Sequence, residues 1–181
     1  MKPVYATGNA HKAKYFNAMV GVELDHEAVD VEEVQSLDIR NVVEHKAREA
    51  YRILKKPVIV EDTFLTFKGL GSLPGPFIKW FLSELGCEGL CKMLDGYHDR
   101  TAFAGAAIAY FDGENLEIFE KELEGTISNR PKGDSGFGWN VIFVPNASTK
   151  TLGEMSPIEF EQYYKQIKPF EEVANFLKNL G

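Results

Sequence analysis

The chain has few of the residues that mark metal-binding proteins. Of its 181 residues, two are cysteines and four are histidines. Cys87 and Cys91 stand four apart in a stretch that reads as helix, without a second ligand pair nearby. We therefore predict small, reduced helix residues rather than a metal site. The histidines show no ligand spacing either.

Membrane and nucleic-acid partners also lack their usual signals. No apolar run approaches the length of a membrane span, and the first residues lead straight into a strand rather than a signal peptide. We therefore expect a cytoplasmic protein without a membrane partner. A net charge of -7 argues against a nucleic-acid binder, which needs a basic face. It does not exclude a nucleotide substrate, which a few lysines and a divalent cation can hold.

What is present is typical of an ordinary soluble protein. Hydrophobic residues make up 44% of the chain and charged residues 26%. This length suits one packed α/β domain, or two lobes around a cleft.

The rest of the chain is organised around the stretch that begins at Val58. Residues 58–60 predict a short strand buried on both faces, which ends in Glu61 and Asp62. Neither carboxylate belongs in a core, and at most one of them continues the inward face. A Pro/Gly-rich turn and a helix carrying Lys79 follow. This pattern indicates a site for a metal-bound anion, or else a solvated turn with an ordinary surface lysine.

Two further lysines stand in unusual positions. A first strand at residues 4–6 leads to a turn, where Asn9 caps a helix with Lys12 in its first turn. A cation is unfavourable there unless it and the free N–H groups bind an anion together. Lys46 lies on the apolar stripe of a helix capped by Asp38. Its side chain either snorkels to solvent or points into a cleft.

The second half of the chain predicts a hairpin and a loop. Residues 101–111 and 116–128 read as long strands joined by a tight turn. Gly105 belongs in the sheet interior, with another group packed closely over it. Residues 130–140 form a glycine-rich loop whose two aromatic residues either anchor it to the core or line a pocket for a flat base.

The remaining elements are predicted more coarsely. They are a strand-like acidic stretch at 22–34, a helix with Trp80 and Leu85 on its buried side that ends at Gly86, a helical segment at 88–94, a strand at 141–144, a helix that starts at the Ser156 capping box and breaks at Pro169, and a last helix to Leu180.

Five motifs together resemble the inosine triphosphate pyrophosphatase family, whose members act on non-canonical purine nucleoside triphosphates. The resemblance covers nearly the whole chain, and the third motif, after Glu-Asp-Thr, is highly specific. The motifs are TGNAHK at 7–12, VEDTFL at 60–65, LPGPFIKWF at 73–81, FGWNVIF at 137–143 and TLGEM at 151–155.

The resemblance implies a single domain over residues 1–181 that hydrolyses a nucleoside triphosphate to monophosphate and pyrophosphate with Mg²⁺. It implies an elongated mixed β-sheet flanked by helices, with the nucleotide between two lobes, and a homodimer. Glu33 and Asp62 match the metal ligands, and Asp62 and Lys12 the catalytic residues. The matching substrate-binding residues at the phosphate end are Thr7, Gly8, Asn9, Ala10, His11, Lys12, Lys46, Asp62, Thr63 and Lys79.

The base pocket that the resemblance implies comprises Phe137, Gly138, Trp139, Asn140, Phe160, Tyr164 and Lys165. Here the sequence departs from the family, whose members usually have Asp at 140, Lys at 160 and Ser-His-Arg at 164–166. Asn140 can both donate and accept hydrogen bonds, Lys165 can donate, and the aromatic residues can stack. We therefore expect intact polyphosphate chemistry with an altered base preference.

Two other functions stay open at this point. One is a nucleotide-binding or sensor protein with weak hydrolysis, which the altered base helix would favour. The other is an interaction protein on an old enzyme scaffold, which would have no evident use for Lys12, Lys46 and Lys79.

Overall fold

A computed structural model describes residues 2–180 of the chain. Among these residues, five α-helices and a seven-stranded sheet give a mixed α/β fold, as predicted. The elements are β1 (Val4–Ala6), α1 (Ala10–Val20), β2 (His26–Glu27), α2 (Ile39–Leu54), β3 (Val58–Phe67), β4 (Pro74–Gly75), α3 (Ile78–Lys92), β5 (Thr101–Phe111), β6 (Leu116–Ile127), β7 (Phe143–Pro145), α4 (Pro157–Ile167) and α5 (Phe170–Asn179).

The sheet mixes parallel and antiparallel neighbours. Its strand order is β2-β1-β3-β5-β6-β7, with β4 paired to β3 off this path. β1 runs parallel to β2 and β3, whereas the β3–β4 and β6–β7 pairs are antiparallel. None of the helices in the described part of the chain is long and apolar enough to span a membrane.

The chain forms two compact units, and β3, β5 and β6 contribute residues to both. Unit 1 holds the described residues up to 62, residues 106–120 and those from 169 onwards. In its core, Tyr5 stacks on Phe16 at 4.4 Å between ring centroids, and Phe170 meets Phe16 edge-on at 6.1 Å. α2 packs its buried Val43 and Ala47 into this unit as its apolar stripe predicts.

Unit 2 holds residues 63–105 and 121–168. Its core includes Leu65, Phe67 and Phe143, all fully buried. The predicted close packing over Gly105 is confirmed, since a Cβ there would lie 2.3 Å from Phe64 Cζ and 2.6 Å from the Lys121 backbone oxygen. No larger residue fits this position without movement of its neighbours.

The prediction that the central strand ends at its two carboxylates is wrong. β3 continues through Glu61 and Asp62 for ten residues in all, as far as Phe67. Residues 63–67 are two threonines and three large apolar residues, a composition that suits a strand. The neighbouring β4 and β5 supply the hydrogen-bond partners that let the strand continue. Both carboxylates therefore sit in mid-strand.

For the other elements, the predicted helix caps and the β5–β6 pair are confirmed, but two strand ranges are wrong. Side-chain oxygens of Asn9, Asp38 and Ser156 cap their helices as expected, and β5 and β6 are neighbours in the sheet. The acidic stretch forms a strand only at His26–Glu27, and the last strand is Phe143–Pro145.

The predicted buried side of α3 is partly wrong. Trp80 is 57% exposed and Leu85 is 47% exposed, although Ile78 in the same helix is buried. Gly86 interrupts the helix, as expected, with φ 64° and ψ 178°.

Candidate active site

The turn after β1 fixes the start of α1. The Asn9 side chain accepts a hydrogen bond from the Lys12 backbone N–H at 3.0 Å, and Thr7 Oγ1 accepts one from the Asn9 N–H at 3.2 Å. This cap satisfies one free donor of the first turn and places Lys12 in it. Ala10 and His11, both exposed, begin the same turn, and Gly8 precedes the cap. The predicted phosphate loop is therefore a capped helix N-terminus.

Lys12 forms an ion pair with Glu61. Its Nζ lies 3.1 Å from Glu61 Oε1, and the Tyr5 hydroxyl donates to Oε2 at 3.4 Å. The side chain of Glu61 is 2% exposed and that of Lys12 is 39% exposed. The expectation that neither carboxylate enters the core is wrong for Glu61. It can be buried because a cation and a hydroxyl compensate the loss of water.

Asp62 has its own lysine. Lys46 Nζ donates to Asp62 Oδ2 at 3.1 Å and to the backbone oxygen of Glu61 at 3.2 Å. The side chain of Lys46 is 21% exposed and that of Asp62 is 24% exposed. Of the two alternatives for Lys46, the structure therefore favours the inward one. Since successive strand residues point to opposite sides, β3 pairs its adjacent carboxylates with lysines of two different helices.

The predicted metal ligands belong to unit 1. Glu33 is exposed in the irregular segment between β2 and α2, and Asp62 lies on β3. Among residues 2–180, no group of three or more His, Cys, Asp or Glu side chains could hold a metal ion. Mg²⁺ commonly takes one or two carboxylates and completes its shell with phosphate oxygens and waters. The partly exposed Asp62 carboxylate fits that mode of binding.

Two of the predicted phosphate-end residues lie in unit 2. Thr63 follows Asp62 on β3 and is half-buried. Lys79 lies in the first turn of α3 and is exposed, with its Nζ 5.2 Å from the centroid of the Trp80 ring. That distance is within the range of a cation–π contact. The predicted Lys79 position at a helix start is thus confirmed.

The aromatic loop both anchors itself and exposes a ring. Trp139 meets Phe143 edge-on at 5.9 Å between centroids. Phe137 is 90% exposed, whereas Asn140 is only 6% exposed. A Cβ on Gly136 would lie 2.3 Å from Asn140 Nδ2, so the amide approaches the loop backbone closely. Trp139 therefore serves as an anchor, while Phe137 is available for contact.

Cys87 contacts the same loop. Its Sγ donates to the backbone oxygen of Gly138 at 3.4 Å. Burial raises the pKa of the Cys87 thiol, and burial also raises that of Cys91. Both cysteines are free thiols, in agreement with the prediction of small, reduced residues.

α4 carries the other predicted base-pocket residues. Phe160 and Tyr164 stack on each other at 5.0 Å, and Lys165 forms an ion pair with Glu161. Sequence reasoning missed Lys168, which is 5% exposed and lies 4.8 Å above the Tyr164 ring. The spacing of Phe160, Tyr164 and Lys168, four residues apart each time, was the available signal.

Known proteins resemble this chain over most of its length. The model of the Ham1 family matches residues 3–176. The chain belongs to the Ham1 family. It is 43% identical to the inosine triphosphate pyrophosphatase of Yarrowia lipolytica, with 98% of this chain and 96% of the relative covered. It is 34% identical to the dITP/XTP pyrophosphatase of Hyperthermus butylicus, with 97% and 94% covered.

Solved Ham1 structures share the fold. The Coxiella burnetii HAM1 protein superposes with a TM-score of 0.84 at 24% identity, with 99% of each chain covered. The Staphylococcus aureus Ham1 protein gives 0.82 at 23% identity, with 100% of each chain covered. These two likenesses bear on the fold alone.

Proposed function

We propose that this Ham1-family chain is a Mg²⁺-dependent nucleoside triphosphate pyrophosphatase, which releases a nucleoside monophosphate and pyrophosphate. The observation that carries the proposal is the pair of adjacent carboxylates on β3, each held by a lysine from a different helix. Relatives that align over nearly the full chain are named inosine triphosphate and dITP/XTP pyrophosphatases. Non-canonical purine triphosphates such as ITP, dITP and XTP are therefore the substrate class to test first.

The residues of unit 1 suit the phosphate end of such a substrate. Lys12, Lys46 and the free N–H groups of α1 attract the negative charge of a triphosphate. Asp62 orients a water for attack on the α-phosphorus and accepts its proton. The lysines stabilise the charge that develops on the departing pyrophosphate.

Asp62 and Glu33 are the residues that would hold Mg²⁺. The ion would supply positive charge at the phosphate oxygens. Lys46 keeps the Asp62 carboxylate in place, because its ammonium bonds both that side chain and the neighbouring backbone oxygen. The Asp62 carboxylate is thereby fixed from the side of α2.

We further propose that the base preference differs from that of typical relatives. Asn140 is nearly buried where the family usually has Asp, and an amide cannot offer the two acceptor oxygens of a carboxylate. Phe160 and Tyr164 stack on each other, and the Lys165 ammonium is already engaged by Glu161. These features support stacking as a larger part of base recognition than charge.

The test is a panel of purified-enzyme assays for pyrophosphate release with Mg²⁺. The substrates are ITP, XTP, dITP, GTP, ATP and pyrimidine triphosphates, each with wild type and Asn140→Asp. We expect measurable turnover of several purines by wild type and a shift towards ITP and XTP in the variant. Strong, exclusive ITP and XTP turnover by wild type would refute the altered preference. No pyrophosphate from any substrate would refute the enzyme and favour a sensor.

Oligomeric state and location are proposed from the family resemblance. We infer a homodimer, which light scattering of the purified protein tests through its molar mass. A monomer at all concentrations would refute it. A cytoplasmic location stays a prediction that fractionation of the source cells can test.

A further inference from the structure

Glu61 carries a buried carboxylate that the proposed mechanism does not use. Its side chain is 2% exposed, so its charge must be compensated within the fold. Lys12 Nζ lies 3.1 Å from one carboxylate oxygen, and Tyr5 donates to the other at 3.4 Å. Lys12 itself is 39% exposed. The ion pair thus connects a buried acid to a lysine that a ligand can reach.

A purely structural role explains this pair poorly. A buried ion pair contributes little stability compared with apolar residues of similar volume. The Lys12 ammonium also stands in the first turn of α1, where the helix dipole repels a cation. Asp62 points to the other side of β3 and pairs with Lys46. A lysine in this position therefore needs a counter-charge on its inner side, and Glu61 supplies it.

We propose that Glu61 is a positioning residue, whose carboxylate holds the Lys12 ammonium at the N-terminus of α1 ready for a triphosphate. The inference rests on the proposed function, since that function assigns Lys12 to the substrate. Without this anchor, the Lys12 side chain would become ordered only when the triphosphate binds. The conformational entropy lost at that step would weaken binding. Glu61→Gln should therefore lower kcat/KM and weaken polyphosphate binding by roughly 10- to 100-fold.

A double-mutant cycle tests whether Glu61 acts through Lys12. The four proteins are wild type, Glu61→Gln, Lys12→Met and the double variant. Two quantities are measured for each: kcat/KM for pyrophosphate release, and the Kd of inorganic tripolyphosphate by calorimetry without Mg²⁺. Once Lys12 is absent, we expect Glu61→Gln to change kcat/KM and the Kd of tripolyphosphate by no more than about twofold. An equal cost in both backgrounds would overturn the proposal.

Lys14 provides a matched control on the same helix. It is exposed, lies two residues from Lys12, and is not one of the proposed site residues. Lys14→Met should behave as wild type and leave the cost of Glu61→Gln unchanged. If Glu61→Gln no longer lowered kcat/KM or tripolyphosphate affinity in the Lys14→Met protein, its effect would depend on the total charge of the helix rather than on the position of Lys12. The proposal would then be overturned.

A milder variant keeps the test valid if Glu61→Gln folds poorly. Tyr5→Phe removes the 3.4 Å hydrogen bond to Glu61 and leaves the acid in place. We expect a smaller loss of tripolyphosphate affinity than for Glu61→Gln, and again none without Lys12. A loss that persists without Lys12 would count against positioning.

Acylation of lysines by acetic anhydride, followed by mass spectrometry, gives a measure that needs no substrate. An ammonium held by a carboxylate is acylated slowly, so Glu61→Gln should raise labelling of Lys12 relative to Lys14. Unchanged labelling would overturn the inference, even if wild type releases pyrophosphate. If wild type releases none while Lys12 labelling depends on Glu61, the proposed function falls and the positioning role stands.

Discussion

Replacing Asp62 by Asn separates the chemistry of this carboxylate from its contribution to the fold. Asn retains an oxygen that can accept from Lys46 Nζ, which lies 3.1 Å from Asp62 Oδ2. The side chains are 24% and 21% exposed, so solvent partly screens their charges. We therefore expect a loss of about 1 kcal/mol or less in the free energy of unfolding.

The expected loss of activity is much larger. General-base catalysis contributes about 10²- to 10⁴-fold to a rate, so Asp62→Asn should lower kcat by roughly 10³-fold. That factor corresponds to about 4 kcal/mol in the activation barrier. A protein with an ordinary stability of about 5–15 kcal/mol stays folded after losing 1 kcal/mol. Unfolding cannot then explain the loss of turnover.

The assay combines pyrophosphate release at saturating nucleotide and Mg²⁺ with urea unfolding of the same preparations. Asp25→Asn is the matched control, because Asp25 is exposed in the same unit and outside the proposed site. It should retain wild-type values in both measurements. Activity of Asp62→Asn within about tenfold of wild type would refute the role of Asp62 as base.

Three further substitutions test the surroundings of single residues. Gly105→Ala should destabilise the protein by about 1–3 kcal/mol in urea unfolding, because its Cβ would overlap Phe64 and a backbone oxygen; an unchanged midpoint would contradict this packing. Hydrogen bonds from Asn115 hold the pKa of Asp112 at about 2, below its ordinary 3.8, so the ionised acid stabilises the fold above pH 4. Asp112→Ala should therefore lower stability at pH 7, and its difference from wild type should shrink as the pH falls from 4 towards 2; a difference that does not change with pH would contradict the assignment. Phe137→Ala should leave stability within about 0.5 kcal/mol, since the ring is 90% exposed, but raise KM by about 5- to 100-fold if the ring stacks on a base. An unchanged KM would remove Phe137 from the proposed base pocket.

Local signals predicted much of the fold. The caps at Asn9, Asp38 and Ser156 involve residues no more than three positions away, so the sequence contains the whole interaction. The β5–β6 hairpin likewise depends on a short turn, in which Asp112 accepts from the N–H groups of Glu114 and Asn115. Such elements can be recognised without knowledge of the tertiary structure.

Predictions failed where distant residues decide the outcome. β3 continues past Asp62 because β4 and β5 pair with it, and no local pattern reports that pairing. Glu61 is buried because Lys12, from another element, neutralises it. Lys46 points inward because Asp62, from another element, lies beside its ammonium. Each case depends on a contact between residues far apart in the chain.

The sequence predicts which residues belong to the site but not which lysine pairs with which carboxylate. The sequence pattern marks Lys12, Lys46 and Lys79 as unusually placed, whereas the role of Asp62 is implied by the family resemblance. The assignment of one lysine to each carboxylate of β3 required coordinates. Roles for Glu33, Lys79 and the base-pocket residues stay predictions.

Hydrolysis in water enriched with ¹⁸O tests the central claim most directly. Wild type with Mg²⁺ and ITP should yield monophosphate and pyrophosphate in equal amounts, with the label in the monophosphate, because water attacks the α-phosphorus. Label in the pyrophosphate would place the attack at the β-phosphorus. Formation of diphosphate and free phosphate, or no product at all, would contradict the proposed reaction.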